Sequence, residues 1–202
     1  MKRVMAGVAL AAMLGGCNPA DDAPAPAAPA SPTPESVVDA PDPPAALTGF
    51  SHARGENLFG YYMPTQEVRI GDLRLDHIHI GSEMEFVAWE QGERMETYAP
   101  VMLEFADLSS PLVTNELGQE SHERRVRILP TAYRVGAGGV AFVGAAPELG
   151  EVRFQGRLDL DRLREVQAAE PGAAEPATVL WLEGQIGAER LERLPFFWFG
   201  GD

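Results

Sequence analysis

Cysteine occurs once in this chain of 202 residues, at Cys17, and lysine once, at Lys2. A single thiol excludes an intrachain disulfide, so the fold rests on an apolar core. The missing lysines exclude a P-loop, a Schiff base and a Ser-x-x-Lys nucleophile. No Gly-x-Ser-x-Gly elbow and no His-Glu-x-x-His helix is present either. Basic residues number 16 against 30 acidic ones, a formal charge of −14 that opposes binding to nucleic acid or anionic lipid. Long apolar runs are scarce too: the longest, residues 4–14, spans about 11 residues where a membrane-crossing helix needs about 20.

What the N-terminus does contain is a graded pattern. Lys2 and Arg3 precede the apolar run, and Leu14-Gly15-Gly16-Cys17 closes it. Charge, apolar stretch and small residues before a cut are the three parts of an export signal. A cut after Gly16 makes Cys17 the first residue. With the lipobox order of Leu, small residue, Gly and Cys matched at positions 14–17, the stretch resembles the signal of bacterial lipoproteins.

That resemblance implies a diacylglycerol thioether on the Cys17 sulfur, and acylation of the new amino group. Two or three chains, at about 0.8 kcal/mol per buried methylene, suffice for stable anchoring. Asn18, with no Asp there, implies the outer membrane, facing the periplasm. Loss of Lys2 and Arg3 takes the basic residues from 16 to 14 with all 30 acids kept, a formal charge of −16.

The reading divides the chain into a signal at 1–16, a lipidated Cys17 with a linker over 17–47, and one domain over 48–202. The linker is mostly Pro and Ala, offers little to bury and resists helix formation. It reads as a disordered tether reaching roughly 80–90 Å at about 3.1 Å per residue.

The domain reads as mainly β, an antiparallel sandwich or barrel with one short helix. Alternating runs on either side of Gly71-Asp72 predict a hairpin over 67–80. Further strands are expected at 58–63, 84–89, 101–105, 122–129, 133–135, 140–143, 152–158, 179–185 and 194–199. Asp159 as N-cap, with Leu160, Leu163 and Val166 on one side, predicts a helix over 160–169 that covers an end of the sheet structure. Segments 68–81 and 184–200 echo each other through a shared Ile-Gly step, a likeness that hairpin grammar explains without duplication. Residues 168–177 read as a loop, and the apolar C-terminal strand reads as buried on both faces or covered by the helix.

Candidate chemistry centres on His77, His79 and His122. Two residues apart on a strand, His77 and His79 project from one face, so His122 and Glu83 or Glu85 would complete a metal site. Leu73 and Leu75 share the parity of the histidines while Ile78 and Ile80 do not, which calls for a bulge near Asp76 and outward, solvated histidines. Glu83, Glu85, Glu90, Glu93 and Glu96 surround Trp89 and read as a solvated acidic strand face. Ser109 or Ser110 beside His122 is the remaining nucleophile arrangement, though no motif recommends it. Tyr61, Tyr62, Trp89, Tyr98 and Trp181 offer a stacking face for a sugar or a partner.

The resulting expectation is a lipid-anchored envelope protein, a binding or assembly module rather than an enzyme, with the membrane and an envelope protein or glycan as partners and no cofactor. The alternatives are a small metal-binding protein or hydrolase using His77 and His79, and a small-ligand binder with a cavity in the β scaffold. In a bacterial host, Cys17→Ala is expected to move the protein out of the membrane fraction or leave it unprocessed; radiolabelled fatty acid entering that variant would refute the anchor.

Overall fold

The computed structural model describes residues 47–169 and 176–201. The chain divides into units Met1–Val38 and Asp39–Asp202, and everything described belongs to the second. The signal, Cys17 and the tether up to residue 46 lie outside the described residues, as do positions 170–175 of the expected loop.

In chain order the elements are β1 (Phe50–His52), β2 (Gly60–Pro64), β3 (Arg69–Ile70), β4 (Leu73–Ile80), α1 (Glu83–Glu90), β5 (Val101–Asp107), β6 (Leu112–Thr114) and β7 (Glu120–His122). They continue with β8 (Arg125–Ile128), β9 (Pro130–Gly136), β10 (Gly139–Ala146), β11 (Gly150–Leu158), α2 (Leu160–Ala168), β12 (Thr178–Ile186) and β13 (Glu189–Phe199). The mainly β class is therefore correct, with two helices where one was expected. The main sheet runs β1-β9-β10-β11-β12-β13-β2-β4-β5-β8, with β3 on β4, while β6 and β7 form a separate hairpin. All pairs are antiparallel except β1 with β9.

Only Leu129 separates β8 from β9, so the chain itself ties one margin of this sheet to the other. The sheet curls, and β8 comes beside β10. Two rows of inward side chains fill the interior. In register across four strands stand Tyr62, Ile78, Leu103 and Ile128, each at most 1% exposed. Tyr133, Phe142 and Phe154 form the second row, the two phenylalanine rings stacked at 4.9 Å.

The hairpin at Gly71-Asp72 forms as expected, and the echoing segment is a hairpin too. Each turn opens with a glycine in the left-handed region, Gly71 at φ 59° and Gly187 at φ 56°, as tight two-residue turns require. α2 also forms as read, with the Asp159 carboxylate accepting from Arg162 N–H and Leu163 buried. The expected strand at 122–129 is broken in two by Glu123 and Arg124, where Arg124 turns to Asp107.

The expected strand at 84–89 is instead α1. Ser82 and Glu85 form a capping box that starts a helix there. A strand would have buried Met84 with Phe86; the helix buries Phe86 and Trp89, three apart, and leaves Met84 81% exposed.

Antiparallel order places the end of β4, the end of β11 and the end of β13 at one mouth of the curled sheet, as pairs Gly60–Ile80, Leu158–Leu180 and Tyr61–Phe199 show. Both helices leave strands at that mouth. Phe154→Ala is expected to destabilise the domain by roughly 3–5 kcal/mol, because it empties the centre of an inner row; urea denaturation measures it.

Candidate functional site

The bulge expected near Asp76 is present: pairing of β4 with β5 shifts between Leu75 and His77. Leu73 and Leu75 point inward before it, Ile78 and Ile80 after it, and the two histidines face out. The outer row then runs Phe199, Tyr61, His79 and Met102 across four adjacent strands. Beside it stand His77, Glu104 and Arg127 in register.

His79 is outward yet not solvated, being only 3% exposed. The segment after α1 crosses the outer face, held where Arg127 donates to the Thr97 carbonyl at 3.2 Å. It lays Tyr98 over His79, with the tyrosine oxygen 2.6 Å from Nε2. That hydroxyl donates to Glu85 Oε1 at 2.5 Å, and Glu85 Oε2 accepts from Ser82 N–H and Oγ–H at 2.6 and 2.7 Å. Because the Tyr98 hydrogen is committed to the carboxylate, His79 Nε2 carries the hydrogen on its side and Nδ1 is left as a buried acceptor without a partner.

Burial takes the His79 ring down to about 4, against the upward pull of Glu85. Burial, then the bond to Glu85, pushes the Tyr98 hydroxyl up. For Glu85, burial works upward, but the hydrogen bonds from Tyr98 and Ser82 outweigh it and hold the carboxyl below its ordinary range. The acids read as a solvated strand face are thus partly spent on structure. Glu85 caps α1, Glu90 meets His52 and Tyr133, and Glu83 stays exposed.

His77 sits beside a charged cluster instead. Asp76 pairs with Arg74 and Arg125, and Glu104 with Arg125 and Arg127. Burial lowers its pKa, more than Glu104 and Asp76 raise it. A cleft of about 540 Å³ between this cluster and the β6–β7 hairpin is lined by both His77 and His122. Its third expected member, His79, is bonded to Tyr98, and among the described residues no three His, Cys, Asp or Glu side chains gather around one point.

His122 does adjoin Ser110, but its Nδ1 meets the Ser110 carbonyl at 3.0 Å, while the Ser110 hydroxyl donates to the Asp107 carbonyl. The Ser109 hydroxyl donates to the Asp107 carboxylate. Neither hydroxyl is presented to the imidazole.

The aromatic set divides as well. Tyr62 and Trp89 belong to the core, at 0% and 6% exposed, which corrects their placement on a stacking face. Trp181 pairs with Pro195 on β13 and lies near Arg157. Tyr61 and Tyr98 do share the outer face, both within ring-contact distance of His79. Two residues outside the expected set join them: Phe59, 6.1 Å from His79, and Phe199, 6.5 Å from Tyr61. Both are exposed, so the C-terminal strand is buried through Phe196 and open at Phe199.

Gly60, at φ 144°, lets the Trp198 indole lie against the backbone, where a Cβ would stand 2.2 Å from its nitrogen. That nitrogen donates to the Phe59 carbonyl and holds Phe59 at the edge of the row. Against known protein families, curated proteins and solved structures, the chain matches none.

The lowered His79 pKa has a consequence for stability. The unfolded ring takes its proton near the ordinary value of 6.5 and the folded ring only near 4, so the unfolded chain binds more protons between those values. Stability is therefore full above about 6.5 and falls as pH drops toward 4, by on the order of 3 kcal/mol from this residue. His79→Gln, which keeps a donor for Tyr98 and cannot titrate, is expected to flatten that part of the urea-midpoint curve.

Proposed function

We propose that this protein is a bacterial envelope lipoprotein, anchored through lipid on Cys17 to the outer membrane and facing the periplasm. Its β domain is a binding module for an envelope protein or glycan, and the Pro/Ala-rich stretch sets its reach. The observation that carries the binding role is the outer-face ring row. Phe59 and Phe199, 38% and 43% exposed, flank the half-buried Tyr61 where the central strands β2 and β13 meet the mouth of the sheet. Rings held rigidly by a sheet offer large contact area at low entropy cost.

The arrangement favours association over catalysis. His79 is bonded within the face, and the serine hydroxyls near His122 are turned to Asp107. The acidic surface disfavours nucleic acid and suits a neutral or basic partner.

In-cell crosslinking of the full chain, followed by purification and mass spectrometry, is expected to recover a reproducible envelope partner. Combining Tyr61→Ala with Phe199→Ala is expected to lower that recovery at least about tenfold while the urea midpoint changes little, since neither side chain is in the core. Unchanged recovery, or no partner with the unaltered chain, would sink the proposal.

A further inference from the structure

The ring row on the outer face continues past Tyr61. Met63 lies two residues further along β2 and so shares its face, and β13 sets Phe197 beside Met63 as it sets Phe199 beside Tyr61. Phe196 is fully buried, so its alternating neighbours Phe197 and Phe199 face out. Phe59, Phe199, Tyr61, Phe197 and Met63 thus make one apolar strip that leads from the mouth to the cleft of about 540 Å³. Met63 lines that cleft, and so does His77, which meets the Tyr61 ring edge-on at 5.0 Å. Strip and cleft form one surface.

The rest of the cleft is polar. His122 Nδ1 meets the Ser110 carbonyl, which only accepts, so Nδ1 holds the hydrogen and Nε2 is an acceptor. Among the described residues, the buried imidazole nitrogens without a partner are those of His52 and His79. The His77 ring and His122 Nε2 are therefore open to solvent, and both residues line the cleft. Arg74 and Arg125 each carry more N–H donors than they spend on Asp76 and Glu104. Ser121 and Glu120 add a hydroxyl and an exposed carboxylate.

These groups define the chemistry of an occupant. Arg74 and Arg125 stand against Asp76 and Glu120, so the lining has no net charge, and burial keeps the His77 ring neutral. On a chain of formal charge −14 this is a neutral spot, which draws neither an anion nor a cation. Donors and acceptors are mixed, and an apolar protein surface laid over them would leave them unmatched. A neutral molecule with an apolar face and a hydroxyl rim meets both strip and cleft. Pyranose sugars have that form: their C–H faces lie on aromatic rings while their hydroxyls donate and accept.

We infer that strip and cleft together bind a neutral oligosaccharide, with sugar faces on Tyr61 and Phe199 and hydroxyls bonded to His77, His122 and the remaining N–H groups of Arg74 and Arg125. The inference rests on the association reading above and names its partner as a glycan.

Calorimetric titration of the purified full chain, kept in a zwitterionic detergent free of sugar, tests this with N-acetylated chitotetraose and cellotetraose as neutral probes and tetragalacturonate as an anionic one. At least one neutral probe is expected to bind saturably, and tetragalacturonate about tenfold more weakly or not at all. Tyr61→Ala is expected to weaken the neutral probe about five- to tenfold through loss of a stacking ring. His122→Phe, which keeps a ring and removes Nε2, is expected to weaken it several-fold. Urea midpoints verify that both variants fold. No saturable binding of either neutral probe, equal or tighter binding of tetragalacturonate, or unchanged affinity in either folded variant would overturn the assignment. If crosslinking still recovers a protein partner through Tyr61 and Phe199 while no sugar binds, the glycan is wrong and the association reading stands.

Discussion

A single sheet curled on itself must fill its own interior, and the rest of this structure depends on that constraint. Tyr62, Ile78, Leu103 and Ile128 on one side and Tyr133, Phe142 and Phe154 on another join one continuous core. With no disulfide available, dispersion and burial across these rows are what hold the strands in register. Closure follows from the covalent step between β8 and β9 at Leu129, a connection too short for the two strands to lie far apart. Curling leaves a mouth to be covered, and the apolar sides of α1 and α2 do this through Phe86, Trp89 and Leu163.

The outer face follows from the inner one. Keeping Leu73, Leu75, Ile78 and Ile80 all inward demands one extra residue in β4, and the bulge at Asp76 supplies it. Its result is that His77 and His79 emerge together. They then meet different fates, because the segment after α1 crosses only one of them. Tyr98 seals His79 into a hydrogen-bonded chain ending at the α1 cap, while His77 remains beside an arginine-rich cluster at an open cleft. Two imidazoles on one strand face thus have distinct environments, set by a crossing that lies about 20 residues away in sequence.

Much of the fold was legible because strand alternation and turn chemistry are local. The Gly71-Asp72 hairpin, the α2 cap at Asp159 and the bulge could each be read from a dozen residues. α1 was missed although its signal is present: Ser82-Glu83-Met84-Glu85 has the capping-box spacing, but the alternation of acids with Met84 and Phe86 imitates a strand over the same stretch. β1 is three residues long, too short for alternation to show, and gains its place by pairing in parallel with β9 and packing Phe50 and His52 against α1. The candidate site was less legible still, since His52 and Glu90, like Phe59 and Phe199, meet through neighbours far apart in the chain.

By itself, then, the sequence determined composition-level and short-range matters: a lone cysteine closing an export-like pattern, a Pro/Ala stretch, an acidic chain whose single lysine is Lys2, and a mainly β domain with a capped helix. Those depend on residue identity and spacing within a few positions. Tertiary structure alone decided that β13 lies against β2, that Tyr62 and Trp89 go inside while Phe59 and Phe199 stay out, and that His52 stacks on Phe86 and meets Glu90. The physical reason is that strand order and burial are settled by which surfaces the whole sheet can close over, a global packing condition that no local pattern encodes.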